Sequence, residues 1–315
     1  MDTLTAYDLM LTIRFFEEAI ERLFLEGRVM GTAHTCIGQE AVAAGVAAAL
    51  SPQDAMTTTH RGHGHFIARG ADVGRAMAEL FGRATGYSRG RGGSQMMMDP
   101  AIGFFGANGI TGGSIPFATG LALDAKLRQS GRVTVCFFGD GASNQGTFHE
   151  SINMAALWRL PVLYIVENNG YAMSTATARG LADPCIADRA AAYGIPGATV
   201  DGNDFFAVRE TVSRFAGAAR AGGGPALIEC VTYRLSGHSR GDPRVYRTRE
   251  EEAEAWKRDP LLRMEQRLQA EGALTDAAIS EHRRAMLARI EDAIRFCEAS
   301  PLPDPASLRD DLFAP

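Results

Sequence analysis

Cysteine is scarce and unpaired in this chain of 315 residues, with five copies and no Cys-x-x-Cys spacing. Cys36, Cys136, Cys185, Cys230 and Cys297 are odd in number and sit mostly in apolar runs, which argues against a disulfide framework and a thiolate zinc site. Positive charge is not in excess: 32 Lys and Arg stand against 37 Asp and Glu, and the formal charge of −5 gives no support to nucleic-acid binding. No apolar stretch free of charges and breakers is long enough to cross a bilayer. Residues 1–18 read as an acidic amphipathic helix and not as a signal peptide. Repeats and low-complexity tracts are absent as well. A cytoplasmic protein with no nucleic-acid and no membrane partner is expected. The 46% hydrophobic content can fill the core of one large α/β domain, or of two small ones.

What is present is a strand, turn, helix, strand sequence. Residues 133–138 and 161–166 are short apolar runs that read as buried parallel strands. Between them, residues 147–159 place Phe148, Ile152, Ala155 and Ala156 at helical spacing, with Ser143 or Asn144 available as a cap. Such a βαβ unit has a right-handed crossover, which brings both carboxyl ends to one edge of the sheet. The first strand ends in Gly139-Asp140-Gly141 and the second, after a gap of 26 residues, in Asn168-Asn169. An aspartate, an asparagine amide and a nearby carbonyl suit a small octahedral cation that also holds phosphate oxygens, which describes magnesium carrying a diphosphate. Gly139 and Gly141 allow close backbone approach, and the following helix offers free N–H groups.

The same alternation continues on either side. Residues 5–26, 38–50 and 72–85 read as helices ahead of a Gly-rich segment, 86–113. Short β signals surround Thr199 and Val200, a helix spans 204–221, and a strand at 226–232 delivers Tyr233 to His238 to the same sheet edge. From Thr248 the chain is charged and helical, with Leu261, Leu262, Met264 and Leu268 on one side. The expected organisation is an α/β domain over 1–245, mostly parallel with helices on both faces and an N-terminal helical arm. A helical C-terminal arm over 246–315 would pack on the same domain or on a partner.

Several side chains invite chemistry. His60, His63 and His65 lie among glycines with no helix spacing and no cysteine or carboxylate to complete a zinc shell; for His65 the plain alternative is a turn held by polar side chains. The segment Gly106 to Gly113 precedes a helix starting near Ser114-Ile115-Pro116, and Pro116 fits the first turn; it is either an ordinary glycine turn or a second loop aiming N–H groups at an anion. His238 ends a loop that also holds Arg240 and Arg244. Arg83, Arg89 and Arg91 read either as contacts for an anionic substrate or partner, or as a solvated loop.

These pieces occur in one order: Ile37-Gly38-Gln39-Glu40-Ala41, Thr58 to His65, Gly92-Gly93-Ser94, Gly106 to Ile110, Gly139 to Pro161, Glu167-Asn168-Asn169, Asp188 to Ala191, and Gly237 to Pro243. Together they resemble the alpha subunits of the thiamine-diphosphate-dependent dehydrogenase components of 2-oxo acid and acetoin dehydrogenase complexes, and the wording of Thr59 to His65 is most like the acetoin type. The resemblance implies the thiamine-diphosphate-binding fold, with thiamine diphosphate and Mg2+ as cofactors. It implies metal ligands at Asp140, Asn169 and the Tyr171 carbonyl. By the same likeness His60, Arg61, Gly109, Ile110, Thr111, Gly141, Ala142 and His238 also contact the cofactor, with Arg61 on a phosphate and Ile110 supporting a bent cofactor shape. His238, His63 and His34 correspond to active-site histidines, packing being the other reading of His34. Ser239 corresponds to a residue phosphorylated in some mitochondrial relatives.

In one place the chain departs from the pattern. Relatives read Gly-Gly-Ser-Met-His, whereas Gly92-Gly93-Ser94 is followed here by Gln95-Met96-Met97-Met98. A thioether carries no proton, so either another group handles that step or substrate and acceptor differ, unless the methionines simply pack. The family's activating glutamate belongs to a beta subunit, so the resemblance implies half of an active site, completed in an α2β2 heterotetramer. It also implies a small carbonyl substrate (acetoin, pyruvate or another 2-oxo acid) and a lipoyl-bearing acyltransferase as acceptor. The alternatives are a biosynthetic relative that hands a two-carbon unit to a carrier protein, and a noncatalytic scaffold subunit.

Overall fold

A computed structural model describes residues 1–239 and 241–310; Arg240 lies outside the described residues. In chain order the elements begin with α1 (Thr3–Leu25), α2 (Glu40–Ala49), β1 (Ala55–Thr57), α3 (His63–Ala68) and α4 (Val73–Leu80). Next come α5 (Ser114–Leu127), β2 (Thr134–Gly139), a 3-10 turn (Asp140–Asn144), α6 (Gly146–Leu157) and β3 (Val162–Asn168). A small hairpin of β4 (Tyr171–Ala172) and β5 (Thr175–Ala176) leads into α7 (Thr177–Gly180). A 3-10 stretch (Ile186–Tyr193), β6 (Gly197–Asp201), α8 (Phe205–Arg220) and β7 (Ala226–Val231) complete the α/β part. The last helices are α9 (Arg249–Trp256), α10 (Pro260–Ala270) and α11 (Asp276–Ala299).

The main sheet has the order β1-β2-β3-β7-β6, and every pairing in it is parallel. Both faces are covered, which is why its inner strands are continuous apolar runs. On β3, Leu163 and Ile165 join the core shared with α1, α3, α4, α8 and α11, while Val162, Tyr164 and Val166 join the core under α5 and α6. The crossover β2, α6, β3 puts Gly139-Asp140 and Asn168-Asn169 at one edge, as the sequence implied. β1 is a strand the sequence did not announce: three residues are too short for a periodic signal.

Local differences have physical reasons. Neither Ser143 nor Asn144 caps α6; the Ser143 hydroxyl donates to the Asp140 carbonyl at 2.7 Å and the Asn144 amide to the Gly180 carbonyl at 2.8 Å, so a 3-10 turn separates the Gly-Asp-Gly corner from the helix. α4 stops at Leu80, short of residue 85, and Gly82 follows with a left-handed φ of 64°. The three-histidine segment contains a helix after all, too brief at six residues to show a period. α1 is not a half-exposed amphipathic helix but is buried on most sides, polar Thr12, Arg14 and Glu17 included.

Buried Arg14 organises that interior. Its guanidinium donates to Glu40 at 2.6 and 3.0 Å and to Asp259 at 2.9 and 3.1 Å, tying α1 to the start of α2 and to the cap of α10. Leu261, Met264 and Leu268 of α10 share a core with Tyr7, Met10 and Leu11 of α1. Leu262, placed on the same side by the sequence, is instead exposed. Ile290, Ala293, Ile294 and Cys297 of α11 join the large core beside α1 and α4, so the C-terminal helices pack on the α/β body itself. No helix among the described residues is long and apolar enough to cross a membrane.

Candidate active site

The carboxyl ends of β1, β2, β3 and β7 open onto one cleft of about 350 Å³. Asp140, at the end of β2, lines it and is only 3% exposed. Burial pushes its carboxyl above the usual range; the Thr177 hydroxyl, donating to Oδ2 at 2.9 Å, pulls the other way. At Gly141 a Cβ would come within 2.6 Å of the Ala172 Cβ, so only glycine lets the β4–β5 hairpin close over the turn. Ala142, buried, lines the cleft beside it. Asn169 caps the end of β3, its Oδ1 accepting from the Tyr171 N–H at 3.3 Å and its Nδ2 donating to Gln39 Oε1 at 3.1 Å. Tyr171 lines the cleft too, with its phenol donating to Glu251 at 2.8 Å.

Opposite in charge are Arg61 and Arg234, both buried and both lining the same cleft. Arg61 donates to the Thr35 carbonyl at 2.9 Å and to the His238 carbonyl at 2.6 Å; Arg234 reaches the Tyr246 hydroxyl at 3.0 Å and the Met173 carbonyl at 3.3 Å. Among the described residues neither forms an ion pair with a carboxylate. Burial first, and then the other arginine, push the Arg61 guanidinium down to about 9. The cleft thus holds two buried guanidiniums and a buried carboxylate, none of them in a direct ion pair among the described residues.

Three imidazoles gather against Arg61. His34 stands 4.6 Å from His60 and 5.1 Å from His238, ring centre to ring centre, and His60 stands 6.1 Å from His238. Burial, followed by the charge of Arg61, lowers His34 and His238 to about 4 and His60 to about 3, so all three are neutral near pH 7. A neutral imidazole can donate a hydrogen bond from one ring nitrogen and accept one at the other while staying uncharged. His60 and His238 line the cleft, and His34 sits one ring behind them. Ile110 and Thr111 lie on its rim, Ile110 being 73% exposed.

Other residues singled out by sequence fall elsewhere. Gly109 does not line the cleft but sits against Gln95, whose Oε1 would be 2.9 Å from an added Cβ. His63 is also off the cleft: Nδ1 meets Glu17 at 2.9 Å and Nε2 meets the Ser94 hydroxyl at 2.8 Å, both fully inside the protein. His65 is no turn residue; it is buried, stacked on Phe137 at 3.8 Å and bonded to Thr58 at 2.8 Å and Glu167 at 3.2 Å. Of the methionine run only Met97 is core, while Met96 is 56% exposed. Arg91 bonds the Ser307 carbonyl at 2.5 Å, which fastens its loop to the C-terminal segment.

Sequence reasoning missed Arg234, Thr177 and Glu167 as cleft or near-cleft residues. Arg234 follows an apolar strand and carries no motif. Glu167 and Gln39 were legible only as letters of longer motifs, since their partners lie 102 and 130 residues away.

The family model for the dehydrogenase E1 component matches residues 7–306. The chain is 48% identical over 309 residues to the alpha subunit of acetoin:2,6-dichlorophenolindophenol oxidoreductase from Bacillus subtilis, covering 98% of this chain and 92% of that one. It is 43% identical over 311 residues to the subunit of the same name from Cupriavidus necator, covering 98% and 93%. It is likewise 43% identical over 304 residues to the pyruvate dehydrogenase E1 component subunit alpha of Zymomonas mobilis, covering 96% and 86%. Since the match takes in every strand and loop that builds the cleft, the chain belongs to the dehydrogenase E1 component family.

Proposed function

We propose that this chain is the alpha subunit of a thiamine-diphosphate-dependent dehydrogenase of the acetoin or pyruvate type, and that it holds the magnesium and diphosphate half of the active site. The observation that carries the reading is a set of buried charges in one cleft, Arg61, Arg234 and Asp140, none in a direct ion pair among the described residues. A magnesium diphosphate satisfies both signs at once. Asp140 Oδ, the Asn169 amide oxygen and the Tyr171 carbonyl form the all-oxygen ligand set that magnesium prefers. Arg61, with its planar fork, and His60 address phosphate; Gly141 and Ala142 offer backbone, and Ile110 and Thr111 face the thiamine end, with Gly109 just behind them in the chain. When bound, the cofactor supplies a carbon nucleophile and an electron sink for cleaving the bond next to a carbonyl.

His238 is the proton-handling side chain nearest Arg61, with His34 behind it; His63, held by Glu17 and Ser94, acts by fixing the Gly92-Gly93-Ser94 loop. A beta subunit supplies the missing activating carboxylate in an α2β2 assembly, and a lipoyl-bearing acyltransferase takes the product unit. Residues 246–310 serve as an arm on the same domain. The setting is cytoplasmic. Exposed Met96, where relatives carry histidine, favours as second reading a biosynthetic enzyme that delivers to a carrier protein. A noncatalytic scaffold has no use for the uncompensated charges of the cleft.

The test is to purify the chain with and without its beta partner and to assay acetoin, pyruvate and branched 2-oxo acids with an artificial electron acceptor. Turnover is expected only with both subunits, on acetoin or a small 2-oxo acid. Steady turnover by rigorously purified alpha chain, or none by the pair on any of these carbonyls, overturns the reading.

A further inference from the structure

Gln39 caps the start of α2, and its mounting is rigid. Its N–H donates to the Cys36 carbonyl at 2.9 Å. Gly38, just before it, has a φ of 96°, and a Cβ there would lie 2.4 Å from the Tyr233 carbonyl oxygen, so the corner is pressed against the strand end that follows β7. On the other side, Glu40 accepts the Gly38 N–H at 3.1 Å and is itself locked by Arg14 at 2.6 Å.

The two ends of the Gln39 amide have different fates. The Tyr171 N–H can only donate, and it donates to Asn169 Oδ1 at 3.3 Å, which sets the sense of the Asn169 amide. Asn169 Nδ2 must then be the donor to Gln39 Oε1 at 3.1 Å, and this sets the sense of Gln39 in turn. What is left is Gln39 Nε2, a buried donor with no partner among the described residues, on a residue 1% exposed that lines the cleft. A buried amide donor is unfavourable unless something accepts from it. Water bound to a cation has given its lone pair to the metal and accepts poorly, whereas a phosphate oxygen accepts strongly. The Arg61 and Arg234 guanidiniums share the same cleft and call for the same anion.

We infer that Gln39 is a two-ended positioning and binding residue: Oε1 holds the Asn169 amide with its oxygen toward the cation, and Nε2 donates to a diphosphate oxygen. This rests on the reading of the cleft as a magnesium diphosphate site. It gives the Ile37-Gly38-Gln39-Glu40 segment a task at the site that its position in the chain, well before either strand-end motif, does not suggest.

The experiment is calorimetric titration of the alpha–beta assembly with thiamine diphosphate at saturating magnesium, repeated with inorganic diphosphate. Gln39→Glu keeps an acceptor for Asn169 but turns the free donor into an oxygen facing phosphate. Gln39→Met, similar in size, removes both ends and serves where the charged variant does not fold, with circular dichroism and the melting temperature as the check. Both variants are expected to bind either diphosphate about 10–100-fold more weakly, as for other residues that orient a metal ligand. Gln39→Met should in addition raise the magnesium concentration needed for half-saturation, while Gln39→Glu should not. Wild-type affinities in a folded variant overturn the role of Gln39. Asp140→Ala is the control that separates the two claims: if it too binds normally, the magnesium diphosphate reading itself fails; if it has lost binding while the Gln39 variants have not, only the inference fails.

Discussion

Arg61 and His238, 177 residues apart, are joined twice: the guanidinium donates to the His238 carbonyl at 2.6 Å and lies 2.9 Å from His238 Nδ1. Arginine has no acceptor, so Nδ1 must accept, and the neutral ring carries its proton on Nε2. The loop is pinned as well by Asp242, whose Oδ2 accepts the His238 N–H at 2.6 Å and the Tyr246 hydroxyl at 2.5 Å. The arginine proposed to bind phosphate thus fixes both the place and the tautomer of the histidine proposed to handle protons.

If that histidine does the work, His238→Ala should slow transfer to a lipoyl acceptor by ~10²–10⁴-fold, the usual loss when a general acid or base is removed, with cofactor affinity little changed. Met96→His restores the side chain relatives carry and should shift preference among acetoin, pyruvate and larger 2-oxo acids. Specificity constants for both variants decide the matter. Wild-type values throughout would mean that neither side chain acts in the reaction.

Asp140→Ala should abolish binding of magnesium thiamine diphosphate to the assembled enzyme, because it removes the sole carboxylate of the proposed ligand set. Calorimetry reads the result directly. An unchanged cofactor affinity would contradict the assignment of Asp140.

The imidazole cluster predicts a pH dependence. Burial and Arg61 lower His34, His60 and His238 to about 4, about 3 and about 4 from an ordinary 6.5. Because the folded values are depressed, the unfolded chain binds more protons between these limits, so stability is full above about 6.5 and falls as pH drops toward 4. Asp140, whose carboxyl is raised by burial, pulls in the opposite sense, so the useful readout is a difference. The melting temperature should fall on acidification through this window, and less steeply in His60→Asn. Identical slopes in the two proteins would refute the contribution of His60.

Arg14→Leu tests the interior. It leaves Glu40 and Asp259 facing each other without the cation that bridges them. Removing one partner of a buried pair costs about 3–5 kcal/mol, read as a lower urea midpoint at unchanged slope. A shift well under 1 kcal/mol would show that the network adds little net stability, as exposed pairs do.

Much of the architecture was legible because its signals are local. The apolar runs of β2, β3 and β7 announce strands buried on both faces, and Phe148, Ile152 and Ala155 announce the crossover helix between two of them. Given a parallel crossover, the placement of Asp140 and Asn169 on one edge follows from the shared strand direction alone. β1 and α3 were not legible, since elements of three and six residues show fewer than two full periods of their pattern.

The sequence by itself determined the fold class, the Gly-Asp-Gly and Asn-Asn strand ends, and through its motifs the family. Tertiary structure alone decided what surrounds them. It set Gln39 against Asn169, Thr177 against Asp140, and Arg61 against His238, pairs whose members are 130, 37 and 177 residues apart. It also moved His63 off the cleft and brought the unannounced Arg234 onto it. The reason is the range of the forces involved. Strand and helix signals depend on the spacing of neighbouring residues, while desolvation, charge and hydrogen-bond direction depend on groups that meet only once the chain has folded.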